Sequence, residues 1–117
     1  MTRDIGYAEF DDLTFRVTRA LTRFDEGQLV AEIAAVVREP LRCVNVALHV
    51  ARRKGFLEKV SINGARGGYW YVTLAGRAYV RAVVAGYRAQ VERDIADQEA
   101  EHERELQAAA QRLGRAA

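Results

Sequence analysis

The 117-residue chain holds one cysteine, one proline, one methionine, one tryptophan and two histidines. A single cysteine, Cys43, excludes an internal disulfide framework, and the expected setting is a reducing cytoplasm. One cysteine and two separated histidines, His49 and His102, give no zinc-ligand spacing, so no metal is expected. No apolar run approaches the ~20 residues that a membrane helix needs, so no membrane partner is expected. The polar, acidic stretch from Met1 to Asp12 does not resemble a secretory signal. One proline and nine glycines exclude a low-complexity tail. There is no Ser-His-Asp set, no pair of carboxylates in an apolar setting, and no phosphate-binding glycine loop followed by Lys-Ser/Thr; neither catalysis nor a cofactor is expected. Lysine is scarce too, since arginine supplies sixteen of the eighteen bases, a bias of GC-rich coding that carries no function of its own.

What is present is an ordinary globular balance, 50% hydrophobic and 29% charged, enough for one core. The net charge of +2 is unevenly spread. From Arg38 to Arg88 ten bases face two acids, Glu39 and Glu58. From Gln90 to Ala117 the balance reverses, with acids at Glu92, Asp94, Asp97, Glu99, Glu101, Glu103 and Glu105. A basic middle joined to an acidic end is the asymmetry of a nucleic-acid binder carrying a separate assembly element. Surface arginines that merely keep the chain soluble are the plain alternative.

Spacing predicts the elements. Asp11 or Asp12 can cap a helix whose stripe is Leu13, Val17, Ala20, Leu21 and Phe24, ending near Asp25-Glu26-Gly27. A second stripe, Val30, Ile33, Ala34 and Val37, stops before Pro40. A third, Val44, Ala47, Leu48 and Ala51, is closed by Gly55. The period then changes. Phe56–Ile62 and Tyr69–Thr73 are β-compatible and flank the glycine-rich segment 63–68, which predicts a hairpin. Trp70 and Val72 share the face assigned to the core, and Tyr69 and Tyr71 the other. Thr73 can cap a last helix running to about Arg112, about 55–60 Å long. Its stripe is Val80, Val84, Tyr87, Val91, Ile95, Gln98, His102, Leu106, Ala109 and Leu113. The 4-3-4 steps wind nearly straight, and the seam is shallow at Gln98 and His102. Gly76 and Gly86 either bend this helix or allow close packing.

The expected architecture is α+β and mostly helical: three helices and a β-hairpin wing in residues 1–73, then a long C-terminal dimerisation helix in 74–117. The resemblance is to the winged helix-turn-helix bacterial transcriptional regulators of MarR and PadR type. Leu29-Val30-Ala31-Glu32-Ile33-Ala34 is similar to the first helix of the turn. Val44, Leu48 and Ala51, followed by Arg53-Lys54-Gly55-Phe56-Leu57, resemble the recognition helix and its exit. Tyr69-Trp70-Tyr71-Val72-Thr73-Leu74-Ala75-Gly76-Arg77 resembles the "Y-Y-x-L-T-x-x-G-R" segment that ends the wing. The likeness covers roughly residues 12–88. It departs from the PadR pattern, which carries a glycine-tyrosine pair near the end of the first helix, and from the MarR pattern in its short N-terminal segment. MarR-type proteins dimerise through helices at both ends of the chain.

The resemblance implies a homodimer that binds double-stranded DNA and represses transcription at the nucleoid, with helix 42–54 in the major groove and the 63–68 wing at the minor groove. Opposite its core face the helix shows Arg42, Cys43, Asn45, Val46, His49, Arg52 and Arg53. Arginine can bond a guanine edge at two points and asparagine an adenine edge, while Val46 can meet a thymine methyl. Arg42 and Asn45 can equally grip phosphates or cap the turn. Arg66 suits a narrow minor groove; a mobile loop with an incidental charge is the plain alternative. Lys59, Arg53 and Arg77 are expected at phosphates. On the terminal helix Val84, Tyr87, Val91, Ile95 and Leu106 are the expected dimer contacts, setting two recognition helices about 34 Å apart over an inverted repeat. A frayed, solvated helix is the alternative. An architectural or partition protein that coats repeated DNA sites, and a protein-interaction winged helix without DNA binding, remain open beside the regulator. No effector is indicated.

Overall fold

The computed structural model describes residues 5–61 and 68–116. Seven elements follow one another: α1 (Ile5–Asp11), α2 (Leu13–Leu21), α3 (Val30–Val37), α4 (Leu41–Arg53), β1 (Leu57–Val60), β2 (Tyr69–Val72) and α5 (Leu74–Ala116). Among the described residues the order is the expected one, with one helix more at the N-terminal end.

Each boundary has a local cause. Of the two candidate caps, Asp12 is the one used: its carboxylate accepts from the Thr14 amide at 3.1 Å, in extended backbone. The helix α2 ends at Leu21, short of the Asp25-Gly27 end that its stripe predicts. The reason lies in Thr22, whose hydroxyl donates to the Arg19 carbonyl at 2.6 Å and takes up the acceptor that a further turn would use. Leu29 carries no capping oxygen, but Glu32 reaches back to accept from the Leu29 amide, so α3 starts there. It closes on Arg38, which sits in the left-handed region at φ 57°. Pro40 then fits the start of α4, where no amide proton is required. Gly55 ends α4 at φ 82°, as expected.

The core forms where α2, α3 and α4 pack on one another and on the inner face of the hairpin. Phe15, Val17, Val44, Leu48, Ala51 and Trp70 are all fully buried. Trp70 packs in this core and Val72 against it, as the strand alternation predicts. β1 and β2 pair antiparallel, Leu57 opposite Val72 and Val60 opposite Tyr69. Gln28 adds a third edge, exchanging two backbone hydrogen bonds with Trp70 at 2.9 and 3.1 Å. Gly27 precedes it because the Tyr71 ring lies there: a Cβ on Gly27 would fall 2.5 Å from that ring.

The helix α5 is a 43-residue element, about 65 Å long at 1.5 Å per residue. It makes the molecule a rod with a head, 83 × 26 × 25 Å. Its first turns belong to the head. Val80 and Val83 pack on Phe15. Thr73 does cap α5, accepting from the Gly76 amide at 3.0 Å while its hydroxyl donates to the Gly55 carbonyl at 2.7 Å. Gly76 permits close packing: a Cβ there would stand 2.2 Å from the Phe56 carbonyl oxygen. Gly86 meets nothing, and its room is unused.

Candidate nucleic-acid interface

The helix α4 is amphipathic, and the two faces have different fates. Val44, Ala47, Leu48 and Ala51 are buried. Burying one such leucine stabilises the fold by about 2 kcal/mol, and this fixes which way the rest of the helix faces. Arg42, Asn45, Arg52 and Arg53 are exposed, and Val46 is 63% exposed. Asn45, Val46, His49, Arg52 and Arg53 line one shallow concavity, and Arg42, Cys43 and Val46 line an apolar dip beside it. Seven residues singled out from the sequence thus share one continuous outer face. Cys43 is a half-buried free thiol at its edge.

Helices α2 and α3 hold this face in place from behind. The turn between α3 and α4 is clamped by Arg16 of α2, whose guanidinium donates to the Val37 carbonyl at 2.6 Å and pairs with Glu39 at 3.0 Å. No local pattern marks this arginine, because its partners lie more than twenty residues away. The exit of α4 is tied to α5 by Thr73 and Gly76.

The hairpin and α4 meet at Trp70. The edge of the His49 ring meets the indole with centroids 5.2 Å apart, and the Lys59 ammonium lies over the indole at 5.6 Å. His49 and Lys59 are therefore half-buried and held by an aromatic wall. The indole Nε1 finds no acceptor among the described residues, so the side chain of Trp70 is held by packing. Arg66 and the rest of 62–67 lie outside the described residues. Arg77, expected at a phosphate, stands in the first turn of α5, where it donates to the Thr22 carbonyl at 3.4 Å. It is not among the residues lining the α4 concavity.

The expected assembly residues fall in two groups. Tyr87 stacks on Phe10 of α1 with centroids 4.0 Å apart and meets Tyr7 edge-on at 5.4 Å. Tyr7 also donates to Asp94, which accepts from Gln90 as well. Val84 packs partly buried against the Phe15 cluster. So α1 covers the near part of the stripe within the same chain. Ile95 is 50% and Leu106 58% exposed, and Val91 is half-buried.

Among the described residues, no helix is long and apolar enough to cross a membrane, and no cluster of three or more His, Cys, Asp or Glu residues could hold a metal ion.

No protein-family profile and no curated protein matches the sequence. Solved structures do match. A MarR-family transcriptional regulator from Silicibacter pomeroyi superposes with a TM-score of 0.60 at 19% identity, over 74% of this chain and 59% of that one, less than two thirds of its length. A MarR family protein of Mycobacterium tuberculosis gives 0.63 at 22% identity, over 93% and 79%. MepR, a transcription regulator of the Staphylococcus aureus multidrug efflux pump MepA, gives 0.62 at 18% identity, over 95% and 84%. Identities this low carry the fold and no more, and the chain has the winged helix-turn-helix fold of these MarR-family regulators.

Proposed function

We propose that the protein is a homodimeric, sequence-specific DNA-binding regulator of transcription that acts as a repressor in a bacterial cytoplasm. The helix α4 enters the major groove, residues 63–68 meet the flanking minor groove, and two copies read an inverted repeat. One observation carries this reading: Arg42, Asn45, Val46, His49, Arg52 and Arg53 share one outward face of a helix whose opposite face is locked into the core. That face combines bidentate donors, a methyl-reading surface and cations, the set that a major groove selects. Lys59 stands beside it, held over Trp70, at a place suited to a phosphate. The solved relatives in this fold are transcription regulators by name.

The test is selection of bound fragments from random duplex DNA, followed by a salt titration of the winner. A palindromic motif is expected, with log K falling linearly with log salt as roughly six to ten phosphates per dimer are neutralised. If no duplex is retained even at low salt, the α4 face is a protein-docking surface instead.

A further inference from the structure

The outer half of α5 has no cover from its own chain among the described residues. Its apolar exposure rises outward, from half-buried Val91 through Ile95 at 50% and Leu106 at 58% to Leu113 at 74%. The stripe there is Val91, Ile95, Gln98, His102, Leu106, Ala109 and Leu113. Its steps are 4, 3, 4, 4, 3 and 4, and they are the same in both directions about His102. Spacing that is the same in both directions lets a two-fold partner set each stripe position level with another, as an isologous contact pairs residue i with j and j with i.

We propose that this face is covered by the same segment of a second copy running antiparallel, in the register that sets His102 against His102 of the partner subunit. Val91 then meets Leu113 of the partner subunit, Ile95 meets Ala109 of the partner subunit, and Gln98 meets Leu106 of the partner subunit. The overlap spans six turns, about 33 Å.

Charge selects this direction. The stretch 90–98 carries Glu92, Asp94 and Asp97 against one base, Arg93, while 106–115 carries Arg112 and Arg115 and no acid. Antiparallel pairing lays the acidic stretch along the basic one. Parallel pairing lays each acid beside its own copy, which repels. Asp94 and Arg112 are eighteen residues apart, five turns of helix, so they lie on the same flank of the stripe and come nearly level across the pair. Only Glu99, Glu101, Glu103 and Glu105 face like charge in either direction. The polar residues Gln98 and His102 weaken the seam, and only this register sets His102 against its own copy. The 4-3-4 spacing keeps two such rods nearly straight, so the stripe stays on the partner along the whole overlap.

This inference rests on the proposed dimer only for the presence of two copies. It is tested by disulfide trapping in full-length chains carrying Cys43→Ser. Ile95→Cys chains are mixed with Ala109→Cys chains and oxidised, and each is also oxidised alone. In this register Ile95 stands about 21 Å along the rod from its own copy, too far for a bond. The mixture and His102→Cys alone are expected to cross-link, and Ile95→Cys alone and Ala109→Cys alone are not. Self-linking of Ile95→Cys would mean a parallel pair or an antiparallel one centred on residue 95. A dimer by sedimentation with no cross-link in the mixture puts the contact on another face, and either result overturns the register while leaving the dimer standing. A monomer by sedimentation removes both.

Discussion

At the scale of single residues, the sharpest constraints are a missing side chain and a half-buried phenol. Gly76 lies where α5 passes the Phe56 carbonyl, and the space for a methyl is absent. Gly76→Ala is expected to destabilise the fold by about 1–3 kcal/mol by thermal or urea unfolding, whereas Gly86→Ala, in open space, should stabilise it slightly. Tyr79 stacks on Phe56 with centroids 4.2 Å apart. Its pKa is raised above the ordinary 10.0, by burial first and then by the carboxylates of Asp12 and Glu9. The folded chain thus keeps a proton that the unfolded chain releases. Stability is full below pH 10 and falls as the pH rises through the folded-state value. Tyr79→Phe should flatten that alkaline fall in pH-dependent unfolding curves; an unchanged slope would mean that another group causes it. Neither residue's constraint was fully legible beforehand. Gly76 stood out within a wing-ending motif, but Tyr79 is one of five tyrosines, and only the tertiary packing of Phe15 and Phe56 against it distinguishes it.

At the scale of elements, α4 divides its residues between two tasks, and substitutions should divide likewise. Leu48→Ala is expected to cost about 2–5 kcal/mol of stability, because it opens a cavity in the core. Arg42→Ala should leave stability unchanged and relax preference at one base position by ~1–3 kcal/mol, measured by binding to single-base variants of the selected site. A uniform loss on every duplex would reassign Arg42 to a phosphate. Arg53→Gln should lower the salt slope by about one. The face of α4 was legible because a 3.6-residue period assigns its inside and outside at once. Its depth was not. His49 and Lys59 look like two more exposed polar residues in sequence, yet both end half-buried against Trp70, which the hairpin sets against α4. Helix α1 was missed for a related reason. Seven residues with one aromatic pair, Tyr7 and Phe10, are too short for a periodic signal. That helix is held by Tyr87, some eighty residues away.

At the scale of the whole molecule, the question is how far apart two heads are held. With α5 paired about His102, Val91 of one copy stands about 33 Å along the rod from Val91 of the partner subunit. The heads lie outside those two points, so this register sets the half-sites farther apart than one helical turn. Selection from random DNA should return half-sites about two turns apart, near 68 Å. A one-turn spacing would show that the long helices cross or bend. Chains ending at residue 90 should be monomers that hold a single half-site weakly. If such chains remained dimeric by sedimentation, α1 and the near part of α5 would be the interface.

The sequence by itself determined the order of elements from α2 to α5, the caps at Gly55 and Thr73, the inner and outer faces of α4, and the presence of one long terminal helix, because periodicity, capping chemistry and strand alternation are local rules. Only the tertiary structure decided that Arg16 clamps the turn, that Gln28 joins the hairpin, that Arg77 bonds Thr22, and that α1 covers Tyr87. These contacts join residues far apart in the chain. Which distant side chains meet depends on how the helices pack, and no local pattern encodes that.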